Sequence, residues 1–249
     1  MTLEGKVALI IGGGRGIGAA TARMMAAQGA SVVIAYLRNT AAAENIVQEI
    51  SSKGGQAIAV QTDARDEQQV HHLVQQAIES YGHIDILIYS APPHGVLKPF
   101  LHLSWEEFIR TVNSELKGVF ETTQAVLPFM RRQRYGRIVY IASNVATSPS
   151  MEGASSLGAA FAALISLAKF LAKEHGPDGI TVNTVLPSMV NTDLSAMIPP
   201  AMRQYLASIT PLQRIAEPED IARVVTFLAS DESGFMTGTS VPVNGGLAM

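Results

Sequence analysis

Seven short apolar runs alternate with longer helical patterns along the chain, and this alternation is the strongest constraint on its fold. The runs are rich in Val, Ile and Leu, which is typical of strands buried on both faces of a parallel sheet. Repeated strand–helix units with right-handed crossovers predict an α/β fold. We expect a Rossmann-like doubly wound parallel sheet of about seven strands, with helices on both faces. The runs span residues 6–11, 31–36, 56–61, 84–89, 136–143, 180–186 and 239–244.

The intervening segments predict six longer helices within a single domain, residues 1–249, because no linker, repeat or low-complexity tract interrupts the pattern. Pro242 lies inside the last run, and a proline there is typical of an edge strand. The segment 188–212 has no clear strand but carries methionines and the Pro199–Pro200 step. These features predict a mobile substrate flap with a short helix. The predicted helices span residues 16–28, 40–53, 66–81, 104–133, 153–175 and 217–229.

The composition indicates a soluble globular protein and excludes several chemistries. Hydrophobic residues make up 47% and charged residues 16% of the chain, and the net charge of −3 predicts no nucleic-acid partner and no membrane-surface partner. No cysteine is present, which excludes thiolate nucleophiles, disulfides and cysteine-based metal sites, and we recognise no other metal-ligand set. The apolar stretch 157–172 is short and contains Lys169, and no signal-peptide pattern opens the chain, so we expect a cytoplasmic protein.

A glycine-rich turn follows the first apolar run. Gly12, Gly16 and Gly18 stand where the strand should end and a helix should begin. Glycine lets the backbone turn tightly and approach a pyrophosphate, while the helix N-terminus supplies free N–H groups and partial positive charge. The spacing in this context predicts a dinucleotide site.

The end of the second apolar run predicts which dinucleotide is bound. An acidic residue at that point binds the adenosine ribose and repels a 2′-phosphate, but this chain has Tyr36 there. Arg15 in the glycine turn and Arg38 beyond the run supply cations that suit a phosphate. NADP(H) is therefore the predicted cofactor. Asp63 ends the third run and should face the same crevice, although a helix-capping role, which Asp66 fills equally well, stays open.

These features resemble the short-chain dehydrogenases/reductases over essentially the whole chain, and among them most closely the ketoacyl and enoyl reductases. The resemblance implies catalytic roles for Asn113, in "TVNSELKGVF", and for Ser143, in "RIVYIAS". It also implies a homo-oligomer, a dimer or tetramer, acting on a small-molecule substrate. With Arg15 and Arg38 from the charge argument above, the predicted cofactor-binding residues are Gly12, Arg15, Gly16, Ile17, Gly18, Arg38, Asp63, Ala64, Ala91 and Thr192.

One pair of residues departs from that family. Its members use a tyrosine to protonate the carbonyl oxygen, and a lysine four residues later lowers the pKa of the tyrosine and holds the nicotinamide ribose. Counting back from "GITVN" places Leu157 and Phe161 at these two positions. None of the six tyrosines is followed by a lysine four or seven residues later. The resemblance thus predicts an apolar catalytic face without the usual acid.

Three hypotheses follow from this departure. The first is an atypical NADP(H)-dependent oxidoreductase that reduces an enone or an acyl thioester of the enoyl type, because an enolate is less basic than an alkoxide. The second is a non-catalytic homologue that binds NADP(H) as a regulator or as the partner subunit of an active homologue. The third is a cyclase, dehydratase or isomerase on the same fold. Weaker candidates for a replacement acid are His94, Glu152 and Tyr89.

Overall fold

The computed structural model describes residues 2–149, 151–196 and 198–248. Its strands, in chain order, are β1 Val7–Ile11, β2 Ser31–Tyr36, β3 Gln56–Gln61, β4 Ile86–Tyr89, β5 Gly136–Ile141, β6 Ile180–Pro187 and β7 Ser240–Val243. They form one parallel sheet in the order β3-β2-β1-β4-β5-β6-β7. The predicted Rossmann-like fold is confirmed. Pro242 lies in β7 at the edge of the sheet, as its missing N–H requires.

Helices cover both faces of the sheet. In chain order they are α1 Gly16–Ala27, α2 Thr40–Ser52, α3 Glu67–Tyr81, α4 Trp105–Gln133, α5 Ser155–His175, α6 Asp193–Ala196, α7 Pro200–Ile209 and α8 Pro218–Leu228. One face packs against α1, α2 and α8, and the other against α3, α4 and α5. The strands β1 and β4 are buried along their whole length, which explains their continuous apolar sequences.

Polar side chains set several helix starts. Asn39 accepts a hydrogen bond from the Ala42 N–H at the start of α2, and Asp66 accepts one from Gln69 at the start of α3. Ser104 and Glu107 form a reciprocal capping box that begins α4. Each such cap contributes about 1 kcal/mol to helix stability. Because β2, β3 and β4 belong to one parallel sheet, the loops that precede α2, α3 and α4 lie at the same end of that sheet.

The strand order changes direction between β1 and β4. The chain moves outward from β1 to β3 on one side and from β4 to β7 on the other. The loops after β1 and β4 therefore diverge and leave a crevice beyond the carboxyl ends of the strands, which is where ligands of such sheets bind.

The helix α5 is the most apolar long segment. By length and composition, Ser155–Asp178 would suffice to cross a membrane, which the sequence pattern did not predict, and 33% of the tested window is buried in the fold. Phe161, Leu164 and Ala168 pack into the core beneath the sheet. A core helix passes the same test, so this helix is weak evidence for membrane insertion.

The predicted flap contains two short helices where one was expected. The helix α6 follows β6 closely, and α7 comes after the Pro199–Pro200 step. A parallel bridge joins Val190, near the start of the segment, to Ala216, just after its end. The mobility of the segment 188–212 stays a prediction.

Candidate functional site

The turn between β1 and α1 is packed so closely that a side chain does not fit at two of its positions. Gly12 has φ +77°, and an added Cβ would lie 2.6 Å from the carbonyl oxygen of Ser90. At Gly18 an added Cβ would collide with the carbonyl oxygen of Gly12. The turn therefore lies directly against the loop that follows β4.

The start of α1 offers unpaired backbone donors at this turn. Arg15 is the N-cap residue, and its side chain makes no capping hydrogen bond. The first N–H groups of a helix then need another acceptor, and a phosphate suits them because the helix dipole is positive there. The donors, the lack of Cβ atoms and the cation of Arg15 together fit the pyrophosphate of a dinucleotide.

The flap begins over the same turn. The methyl carbon of Thr192 would lie 3.1 Å from a Cβ added at Gly16, where φ is +51°. Asp193 pairs with Arg15 at 3.5 Å, and both side chains are largely exposed. The exposed pair contributes little to stability, so a phosphate could replace Asp193 as the partner of Arg15 at small cost. Arg38 is exposed beyond the end of β2.

Asp63 has a partner that the sequence pattern did not reveal. Arg65 grips its carboxylate in two places, with Nε 2.9 Å from Oδ1 and Nη2 2.8 Å from Oδ2. The hydrogen bonds from Arg65 hold the pKa of Asp63 below its usual range. Asp66, and not Asp63, caps α3. Asp63 is thus left beside the crevice as a fixed, charged acceptor.

The inward face of α4 carries a buried acid. Asn113, which was predicted as a catalytic residue, is exposed and lines an open surface pocket together with Arg65, and its catalytic role stays a prediction. Glu115 is 7% exposed and accepts a hydrogen bond from the His94 N–H at 2.7 Å. Burial raises the pKa of Glu115, and the hydrogen bond from His94 and the charge of Arg65 oppose that rise.

The start of α5 presents hydrocarbon to the crevice. Leu157 packs directly against Gly95 in the loop after β4, where an added Cβ would collide with its side chain. Phe161 lies one turn further along and is 6% exposed, packed in the core. Ser143 stands at the end of β5, where its Oγ accepts a hydrogen bond from the Val145 N–H at 3.4 Å. Among the described residues, the acceptor for its own proton is a distant one, Asn144 Oδ1 at 3.5 Å.

The weaker acid candidates differ in their surroundings. Tyr89 is 6% exposed, and burial raises its pKa well above the usual value for a phenol, so it is a poor proton donor near neutral pH. His94 and Glu152 have exposed side chains. Within residues 2–149, 151–196 and 198–248, no group of three His, Asp or Glu residues could hold a metal ion.

Residues 12–248 match the sequence model of a family described as enoyl-(acyl carrier protein) reductase. The structure of a short-chain dehydrogenase/reductase from Serratia marcescens BCRC 10948 is similar to the chain, with a TM-score of 0.92, 31% sequence identity and 100% of each chain covered. The chain belongs to the short-chain dehydrogenase/reductase (SDR) family.

Other relatives of this SDR are also reductases by name. It is 35% identical to the 3-oxoacyl-[acyl-carrier-protein] reductase FabG of Thermotoga maritima over 251 residues, which cover 100% of both chains. A dehydrogenase/reductase structure from Sinorhizobium meliloti 1021 matches with a TM-score of 0.91 and 32% identity, covering 100% of this chain and 97% of the other.

Several of the predicted cofactor residues of this SDR meet around one turn. The close approaches just described join the glycine turn to the loops after β4 and β6, while Asp63 and Ala64 follow β3 at the same edge of the sheet. The residues so assembled are Gly12, Arg15, Gly16, Ile17, Gly18, Ala91 and Thr192. Their contacts with a cofactor stay a prediction.

Sequence reasoning missed Arg65 and Glu115 at this site. A signal for Glu115 exists in the helical period, because the buried residues of α4 begin with Thr111 and continue at intervals of three and four. That period places Glu115 inward and Asn113 outward. Arg65 had only its spacing from Asp63 to suggest an ion pair.

Proposed function

We propose that this SDR is an NADP(H)-dependent oxidoreductase that reduces a carbon–carbon double bond conjugated to a carbonyl, in an enone or an acyl thioester. One observation carries the proposal: the loop after β4 lies against an intact glycine turn at Ala91 and, at Gly95, against Leu157, a hydrocarbon side chain at the position where the family carries its acid. A protein built to reduce ordinary ketones needs a tuned proton donor there, and none of the tyrosines has a lysine at the required spacing.

A bound dinucleotide would supply the hydride equivalent. Gly12, Gly18 and the first N–H groups of α1 would hold its pyrophosphate, with Arg15 beside them. Asp63 would accept a hydrogen bond from the adenosine, and Ala64, Ala91 and Thr192 would line the same crevice.

Ser143 would act on the substrate oxygen. Its hydroxyl proton is only weakly engaged at 3.5 Å, so it can donate to the negative oxygen of an enolate. An enolate is much less basic than an alkoxide, so a hydrogen bond without full proton transfer can stabilise it, and water can complete the protonation at carbon. The apolar side chain of Leu157, which is only partly buried, suits an unsaturated carbon chain.

We also propose NADP(H) in preference to NAD(H). Tyr36 stands at the end of β2, where an acid would repel a 2′-phosphate, and Arg38 follows it with an exposed guanidinium. Residues 1–249 would act as one cytoplasmic domain, with the segment 188–212 as the substrate flap.

Exposed aromatic side chains support a homo-oligomer. Phe120 on α4 is 53% exposed and Phe170 on α5 is 63% exposed, although both helices pack their other faces into the core. Burying such side chains against a second copy would be favourable. A dimer or tetramer through these outer faces is the proposed assembly.

A second candidate function is a non-catalytic NADP(H)-binding subunit or regulator, partnered with an active homologue. The contact between Leu157 and Gly95 favours it, because this contact closes the space that a proton donor would otherwise occupy. The third hypothesis, of a cyclase, dehydratase or isomerase, has no comparable observation in its favour.

The decisive assay follows NADPH oxidation with matched substrate pairs, cyclohexenone against cyclohexanone and an enoyl thioester against its 3-oxoacyl counterpart. We expect the unsaturated member of each pair to react faster by about 10²-fold. Reduction of the simple ketone or 3-oxoacyl group forms an alkoxide and therefore needs a general acid, which reduction of the conjugated double bond does not. Ser143→Ala should lower the enone rate by roughly 10²-fold, as for loss of an oxyanion donor. If no enone or enoyl thioester led to NADPH oxidation, the reductase proposal would be contradicted and the non-catalytic candidate would be favoured.

A further inference from the structure

Glu115 is a buried carboxyl group that the proposed reaction does not use. Its Oε1 accepts the backbone N–H of His94 at 2.7 Å. Two charged or ionisable groups interact with it electrostatically: Arg65, paired with Asp63 after β3, and Tyr89 at the end of β4. An acid so enclosed needs a structural or functional reason, because burying a charge without partners is costly.

The loop that Glu115 grips, residues 92–96, forms one side of the proposed substrate pocket. Gly95 in this loop lies against Leu157 and Thr111. Two other polar contacts hold the loop, from Val96 N to Thr111 Oγ1 and from Ser156 Oγ to Val96 O, and each is 3.5 Å long. Hydrogen bonds of that length are weak, so the bond to Glu115 is the main polar attachment of these residues.

We propose that Glu115 is a positioning residue that fixes the loop 92–96 against Leu157 and so sets the width of the substrate pocket. The identity of the pocket rests on the proposed function. The attachment of the loop 92–96 to Glu115, which we call the clamp, rests only on the contacts of Glu115, His94 and Gly95 within this chain.

The clamp depends on charge. A carboxylate accepts a stronger, charge-assisted hydrogen bond than a neutral carboxyl does, so the grip on His94 should tighten as pH rises through the pKa of Glu115. The stability of the whole protein changes with pH in the opposite direction. Because burial raises this pKa above its unfolded value, the folded state binds the proton more tightly, and the free energy of unfolding falls as pH rises through the same interval. A merely structural acid would not produce the first effect.

Hydrogen exchange of the His94 amide measures the clamp directly, without dinucleotide or substrate. Glu115→Ala should speed this exchange about tenfold or more, as expected from losing one hydrogen bond to a charged group. Glu115→Gln keeps the shape and a carbonyl acceptor, so it should speed exchange only slightly. The ratio of its exchange rate to that of the wild type should grow as pH rises through the raised pKa of Glu115. The matched controls are Glu106→Ala and Glu106→Gln, at an exposed glutamate of the same helix, and both should leave the His94 amide unchanged.

The proposal is overturned if Glu115→Ala folds and leaves His94 as protected as in the wild type, or if Glu106→Ala exposes it equally. If Glu115→Ala does not fold, the isosteric Glu115→Gln decides: a rate ratio to the wild type that stays flat with pH also overturns the clamp. Because this measurement involves no turnover, its failure would leave the reductase proposal standing, and a failed substrate assay would leave the clamp standing.

Discussion

Replacing Gly18 with alanine is expected to abolish dinucleotide binding and to lower the free energy of unfolding by about 3 kcal/mol, the upper part of the range for overpacked sites. The added Cβ would collide with the carbonyl oxygen of Gly12, and a backbone atom cannot move aside as a flexible side chain can. The turn would have to open, which would separate it from the loop after β4 and misdirect the first N–H groups of α1. Urea unfolding and calorimetric titration with NADPH measure the two effects.

Gly176 provides the matched control for this substitution. It lies at the end of α5, its φ is −53°, and no atom outside its two chain neighbours lies within 4 Å of an added Cβ. Gly176→Ala should change the free energy of unfolding by less than about 1 kcal/mol, because its effect on the unfolded state stabilises the protein while Pro177 disfavours a Cβ in this helical conformation. A Gly18→Ala protein that binds NADPH and unfolds like the wild type would show that the turn is looser than its packing indicates.

The double variant Leu157→Tyr with Phe161→Lys should raise the rate of saturated-ketone reduction by about 10²-fold, the lower end of what a general acid contributes. The two positions lie one turn apart on the same face of α5, so the ammonium would stand close enough to lower the pKa of the new phenol. NADPH oxidation with cyclohexanone is the measurement.

The double variant should also lose folding stability, and the two single variants separate this loss from the gain in activity. Phe161 is 6% exposed in the core, so Phe161→Lys alone buries an unpaired charge and should unfold at a lower urea concentration than the wild type. Leu157→Tyr alone lacks the ammonium and should gain little activity. A folded double variant that reduces ketones no faster than the wild type would indicate that the loop over Leu157 excludes the tyrosine from the substrate.

The fold was predictable because its signals are local. Continuous apolar runs such as "VALII" reflect strands buried on both faces, and each is short enough to identify without tertiary information. Gly12 and Gly18 were identifiable for the same reason: a tight turn between a strand and a helix leaves little choice of residue. Four runs, residues 6–11, 84–89, 136–143 and 239–244, were predicted too long by one or two residues, and polar side chains explain two of these boundaries. Asp85 precedes β4, where its carboxylate binds the Val7 N–H, and Ser143 follows β5, where it caps a short 3₁₀ turn.

The catalytic side of the crevice was less predictable because it depends on which way side chains face. Asn113 was chosen by residue type, whereas the buried face of α4 selects Glu115. The ion pair of Asp63 with Arg65 forms within one irregular loop, and the contact of Leu157 with Gly95 arises only when α5 meets the loop after β4. Neither leaves a periodic trace in the sequence.

Calorimetric titration of the purified protein with NADPH and NADH tests the dinucleotide site most directly. We expect one NADPH per chain, bound at least about tenfold more tightly than NADH, since charge-assisted hydrogen bonds to a 2′-phosphate are strong enough for that difference. The variant Arg15→Ala with Arg38→Ala should bind both dinucleotides with similar affinity. Binding of neither dinucleotide by the folded wild-type protein would contradict the proposed site, and with it both the reductase and the NADP(H)-binding subunit.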